Sequence, residues 1–217
     1  MHCEPSKITQ VLNVQNQDRY RLHIETAARS LRNGEIVAFP TETVYGLGIH
    51  KDNAGAVERL YEAKRRPEEK KLTLMISDIG EVQQYVDAIS DTARKLMDFF
   101  WPGPLAIIFP LKDETDICIR FPDNTIARDL IRTANIPIAT TSANISGHPP
   151  ATDAAQVAVY FEGKIDIILD GGPARSHVPS TIVKIKNEIF EIVRLGIIPE
   201  AAIQNCLKNR QKIWKFF

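Results

Sequence analysis

The sequence predicts an α/β fold, a mixed sheet with flanking helices. Three observations carry that prediction. Short apolar runs of strand length alternate with amphipathic segments of helix length along most of the chain. The 217 residues hold no internal repeat, low-complexity run or Gly/Ser-rich linker, which predicts one domain over 1–217. With 44% hydrophobic and 25% charged residues, the composition is that of a globule able to bury a sizeable core.

The elements follow in order. Lys7–Val14 alternates apolar and polar residues and reads as a strand. Asp18–Asn33 places Leu22, Ala27 and Leu31 at helical spacing, and Gly34 is a left-handed stop. Ile36–Phe39 is a short buried strand ending at Pro40. Asp52–Lys64 is the second helix, with Asp52 or Asn53 as its cap and Pro67 limiting its extension. Leu72–Ser77 is a strand, and Asp78 with Glu81 has the form of a capping box opening a short helix. Asp91–Phe100 is a helix cut by Trp101-Pro102-Gly103-Pro104. The second half predicts strands at Leu105–Phe109, Ile117–Phe121, Ile136–Thr141 and Ile165–Leu169, with helices at Thr125–Ala134 and Asp153–Tyr160. Ser180–Lys186 and Ile189–Arg194, separated by Asn187-Glu188, read as a terminal hairpin. In such sheets ligands gather where strands end, which directs attention to the loops after Phe39, Phe121 and Thr141.

Several function classes are excluded at once. Twenty-seven basic residues balance twenty-seven acidic ones, so any polyanion site must be local. No stretch reaches the roughly 18 consecutive apolar residues of a membrane helix, and the first residues lack a secretory layout. Cys3, Cys118 and Cys206 form no disulfide or zinc pattern, and reduced thiols predict a cytoplasmic protein with no membrane partner. The five histidines show no ligand spacing, so no protein metal site is expected. There is no Walker loop and no nucleophile elbow, and Gly46-Leu47-Gly48 lacks the third glycine of a dinucleotide fingerprint.

Four segments carry chemistry. Pro40–Gly48 brings two hydroxyls and a carboxylate to a strand end, either as a binding loop or as a turn bonding its own backbone. Lys64-Arg65-Arg66 could meet phosphates, although cations at a helix C-terminus also serve the dipole. Thr140–Gly147 leaves a buried strand with Ser142 and Asn144 projecting from its mouth. The proline- and glycine-rich corners, including Pro179-Ser180-Thr181, are assigned to backbone structure first. Arg120 and Arg194 are lone cations near strand ends. The tail, 199–217, mixes basic and aromatic residues that could grip RNA, although a helix end packing its aromatics on the body is the favoured reading.

Together these segments resemble the YrdC-like family in its short, TsaC-type form, the threonylcarbamoyl-AMP synthases. Seven motifs match in order: Phe39–Gly48, Lys64–Pro67, Trp101–Leu105, Ile119-Arg120, Ser142–Gly147, Pro179–Val183 and Val193–Gly196, covering about 31–198. The resemblance implies a twisted sheet around a positively lined cavity. It implies ATP, L-threonine and bicarbonate as substrates, Mg²⁺ accompanying the nucleotide, and threonylcarbamoyl-AMP and pyrophosphate as products. It implies Lys64, Arg66, Ser142 and Arg194 as ATP contacts with Asn144 beside them, Lys64, Arg66, Ser142 and Asn144 forming the catalytic set. It implies Thr43, Arg120 and Thr140 as threonine contacts, with Arg120 on the carboxylate. The product would pass to a TsaB/TsaD/TsaE-type complex that modifies the adenosine beside the anticodon (t6A37), with tRNA as a possible partner. The chain departs from the family pattern at Arg65, where glycine is frequent, at Lys70, Lys71 and Met75, and at Asp116, Pro150 and Leu195. The alternative is a non-catalytic, tRNA- or dsRNA-binding YrdC/YciO-like paralogue.

Overall fold

The computed structural model describes residues 8–67 and 69–208. Ten strands form one sheet: β1 (Gln10–Asn13), β2 (Val37–Phe39), β3 (Gly46–His50), β4 (Thr73–Met75), β5 (Leu105–Pro110), β6 (Asp116–Arg120), β7 (Ile138–Ser142), β8 (Ile167–Asp170), β9 (Thr181–Lys186) and β10 (Ile189–Arg194). Six helices accompany it: α1 (Gln17–Arg32), α2 (Ala54–Lys64), α3 (Asp91–Phe100), α4 (Thr125–Ala134), α5 (Ala154–Phe161) and α6 (Glu200–Lys208). A 3₁₀ helix spans Ile79–Gln84. The strand order is β1-β8-β2-β3-β7-β4-β6-β5-β9-β10, with parallel and antiparallel pairs mixed, as the sequence predicts for an α/β chain.

Helix starts follow side-chain chemistry. Asn16, Asn53 and Asn124 accept from the backbone N–H groups of Asp18, Ala56 and Ala127, while Ser90 and Asp153 cap α3 and α5. Asn53, and not Asp52, is thus the cap of α2. The expected box at Asp78 forms only by half. Asp78 caps the 3₁₀ turn, but Glu81 accepts from the N–H and hydroxyl of Ser77 instead. Asn187 and Glu188 both take positive φ, the geometry of a tight two-residue hairpin turn between β9 and β10.

Strand alternation sorts the core. Val37, Phe39, Ile138 and Leu169 pack with α1 and α4, while Ile36, Ala38, Leu47 and Ile168 pack with α2 and α5. Leu105, Ile107, Ile119 and Val183 build a third cluster with α3 and α6.

Two elements depart from expectation. Strand β3 was expected as part of a loop, because Gly46 and Gly48 weaken a strand signal. At Gly48 a side chain has no room: a Cβ there would stand 2.7 Å from Phe39 Cε1 and 3.2 Å from Ile138 Cγ2, whereas one on Gly46 would meet only ordinary contacts, 3.5 Å or more away. The helix α6 falls in what was read as a tail, and it buries Ile203 and Cys206 in the third cluster. The basic-aromatic end, 209–217, and Lys7 of the first predicted strand lie outside the described residues.

Candidate active site

The chain after β2 turns at Pro40 into a buried hydroxyl knot. The Thr41 hydroxyl donates to the Val44 carbonyl at 2.6 Å, so its one proton is committed. The Thr43 hydroxyl, 2.9 Å away, must therefore donate to Thr41 Oγ1. Thr43 in turn accepts from Arg120 Nη2 at 3.0 Å. The same Nη2 donates to Glu42 Oε1 at 2.8 Å, and Arg120 Nε to the Gly103 carbonyl at 3.3 Å. Arg120 and Glu42 are 5% and 8% exposed, which makes this a buried ion pair. Arg120 Nη1 has no hydrogen bond among the described residues, yet Glu42 Oε2 is the only side-chain polar atom found both fully buried and unpartnered. Nη1 is therefore reached from a cavity.

That cavity is walled by β3, β4, β6, β7, the start of β9 and the end of β10, and encloses about 640 Å³, the open mouth included. Six of the eight residues expected from the sequence line it: Thr43, Arg66, Arg120, Thr140, Ser142 and Arg194. Thr140 donates its hydroxyl proton to the Thr73 carbonyl at 3.0 Å, and Ser142 donates to Asn144 Oδ1 at 2.6 Å. These hydroxyls thus present lone pairs. The arginines present the donors. Arg66 rests Nε and Nη2 on the carbonyls of Lys70 and Lys71 at 3.0 and 2.9 Å, leaving Nη1 without a partner among the described residues. Arg194 rests Nε and Nη2 on the Ser180 carbonyl at 3.2 and 2.7 Å, again leaving Nη1. Burial first, then the charges of Arg120 and Arg66, pull the Arg194 pKa below the ordinary arginine value.

Arg194 arrives through a defect in its strand. Ile192 pairs with Val183 but Arg194 pairs with Ile182, so Val193 is bulged out and the guanidinium is re-aimed at the cavity. Of the three loops expected at the site, those after Phe39 and Thr141 contribute, whereas the loop after Phe121 does not. There the strand's own end, Arg120, is what lines the wall.

Lys64 and Asn144 do not line the cavity but stand directly behind its wall. Lys64 lies at the C-terminus of α2 and is 1% exposed. Its Nζ donates to the Ser142 carbonyl and, at 2.6 Å, to the Asn144 carbonyl. Its own carbonyl accepts from the Ser146 N–H at 2.9 Å. Burial, with Arg66 adding to it, lowers the Lys64 pKa to about 7. Asn144 spends Nδ2 on the carbonyls of Ile145 and His148. Both residues brace the loop behind Ser142. A side chain that packs under a wall and one that faces the ligand look alike in a sequence.

Residues the sequence reading did not assign also face the cavity: Lys71, Thr73, Met75, Tyr45 and Ser180. Ser180 lies in a proline-led corner whose composition points to backbone structure, and Lys71 follows the Lys64-Arg65-Arg66 cations along the chain. Two departures from the family pattern explain themselves. Arg65 caps α2 with φ of 50°, a left-handed position where glycine would be unstrained. Asp116 pairs with Lys184 at 2.7 Å and does not line the cavity. Among the described residues no group of three or more His, Cys, Asp or Glu could hold a metal, and no helix is long and apolar enough to cross a membrane.

Comparison with known proteins places the chain in a family. The chain is 41% identical over 191 residues to a threonylcarbamoyl-AMP synthase of Bacillus subtilis, covering 83% of this chain and 55% of that protein. It superposes on the crystal structure of P. abyssi Sua5 complexed with L-threonine at a TM-score of 0.84 and 35% identity, covering 93% of this chain and 61% of that one. It superposes on E. coli YciO at a TM-score of 0.77 and 25% identity, covering 88% and 96%. The chain thus spans less than two thirds of the first two proteins. The Sua5–YciO–YrdC family model, described as Telomere recombination, matches residues 29–196. With the hydroxyl knot, the braced Ser142 loop and the cationic wall all falling inside those bounds, the chain belongs to the Sua5–YciO–YrdC family.

Proposed function

We propose that this cavity joins ATP, L-threonine and bicarbonate into threonylcarbamoyl-AMP, releasing pyrophosphate. The observation that carries the reading is the convergence of three open arginine donors, on Arg66, Arg120 and Arg194, with hydroxyl lone pairs on Thr43, Thr140 and Ser142. Anionic groups need donors, and an ammonium needs acceptors. Arg120 Nη1 would take the amino acid's carboxylate, with the oxygens of Thr43 and Thr140 receiving its ammonium or hydroxyl protons. Arg66, Arg194 and Lys71 would hold the triphosphate, and Lys64 and Asn144 would keep Ser142 in place beside it.

In this reading the threonine amine adds to CO₂ drawn from bicarbonate, giving a carbamate and water. A carbamate oxygen then attacks the ATP α-phosphorus, and the bond to the bridging oxygen breaks to expel pyrophosphate. Displacement at phosphorus asks chiefly for alignment and for cations on the departing charge, which suits a site without a protein nucleophile. Mg²⁺ would enter on the phosphates of ATP and screen them. The product would feed a TsaB/TsaD/TsaE-type complex acting on tRNA in the cytoplasm.

The test is pyrophosphate release from ATP, bicarbonate and Mg²⁺, with and without L-threonine. Release that depends on threonine is expected. Salt-dependent tRNA binding without any release would replace this reading by the RNA-binding one.

A further inference from the structure

The cavity carries two different electrostatic ends, and one unassigned carboxylate makes them different. Among the described residues no Asp or Glu lines the wall, while Arg66, Lys71, Arg120 and Arg194 do. Among the described residues, only Arg120 of these four cations has a carboxylate partner: Glu42 Oε1 at 2.8 Å, in an ion pair with side chains 6% and 9% exposed. The second oxygen, Glu42 Oε2, is fully buried with no hydrogen bond, so its charge is not spread over other donors. The inner end is thus neutral in sum, yet it still offers two directed N–H donors from Arg120 Nη1. The outer end, at Arg66, Lys71 and Arg194, stays cationic.

We propose that Glu42 is a positioning and specificity-determining residue that sorts the two substrates. By neutralising Arg120 without occupying Nη1, it makes the inner end favour a net-neutral zwitterion and reject phosphate groups. The polyphosphate is left to the outer cations. This proposal rests on the reading of the cavity as an ATP and amino-acid site. A highly charged anion gains from net positive potential, whereas a zwitterion gains only from directed donors and acceptors. Without Glu42, Arg120 becomes a fourth free cation, and pyrophosphate or the triphosphate end of ATP would compete for the threonine position.

The experiment uses the full chain and measures L-threonine binding by calorimetry in the absence and presence of inorganic pyrophosphate. In the wild type, pyrophosphate is expected to compete with ATP and to leave threonine affinity unchanged. In Glu42→Gln, which keeps the shape and the contact but removes the charge, saturating pyrophosphate is expected to weaken threonine about tenfold or more. Glu42→Asp, which restores the charge, is expected to return to the wild-type pattern. A purely structural role would lower stability in both variants and produce no such selective competition. Competition between pyrophosphate and threonine in the wild type overturns the proposal even if Glu42→Gln fails to fold. So does a Glu42→Gln protein that behaves as the wild type, or a Glu42→Asp protein that behaves as Glu42→Gln. A wild type that binds no threonine overturns the functional reading itself, a result distinct from these.

Discussion

At the inner end of the cavity, Thr41, Thr43 and Arg120 are buried and their hydrogen bonds interlock, only Arg120 Nη1 keeping its protons unassigned. At the outer end, Arg66 and Arg194 rest on backbone carbonyls and keep part of each guanidinium free. The first arrangement welds the cavity wall to folding, because the groups that face the cavity also hold the core. The second separates them. Removing an inner residue should therefore cost stability and binding together, and removing an outer one should cost binding alone.

The largest effect is expected at Arg120→Ala. It leaves Glu42 buried without a partner, a defect worth about 3–5 kcal/mol. Urea unfolding measures this directly, and a loss under about 1 kcal/mol would show that the inner end is not welded. Next, Arg66→Ala and Arg194→Ala should each lower pyrophosphate release about 10–100-fold, one charge-assisted contact apiece, with stability changed by under about 1 kcal/mol. A stability loss equal to that of Arg120→Ala would erase the contrast.

Lys64 sharpens it through pH. Burial holds its folded pKa near 7, below its ordinary value of 10.5. Between those values the unfolded chain takes up a proton that the folded one does not, so stability should rise with pH, by up to about 1.4 kcal/mol per unit. Below about 7 both states are protonated and this dependence ends. Lys64→Gln should flatten the rise between pH 7.5 and 9.5, read as the urea midpoint of each protein. A parallel pair of curves would count against the burial of this amine. The smallest effect belongs to Arg65→Gly at the left-handed cap of α2, expected to raise stability by up to about 1 kcal/mol. A loss of stability there would mean that the Arg65 side chain, and not its backbone, matters.

Much of this architecture is legible in residue order. The alternation of apolar runs marks nine of the ten strands, and of the caps read from the sequence Asn53 and Asp78 sit where α2 and the 3₁₀ turn begin. What escapes is whatever depends on a neighbour from elsewhere in the chain. The ring of Phe39 decides that Gly48 must be bare within a strand. Packing against the third cluster decides that 200–208 is a helix of the body and not a tail.

The same division holds for the site. Residue types and their order determine that cations and hydroxyls are available at strand ends, since both follow from local pattern. Which of them faces a ligand is decided only by tertiary structure. Lys64 turns inward because two carbonyls of a distant loop receive its protons, and Arg194 turns to the cavity because its strand is bulged at Val193. The sequence offers Glu42 as a carboxylate in the loop after Phe39 but not its role: its partner Arg120 lies 78 residues away, and only the sheet brings them to 2.8 Å. Hydrogen bonding and burial act over a few ångströms of space, a distance that separation along the chain does not encode.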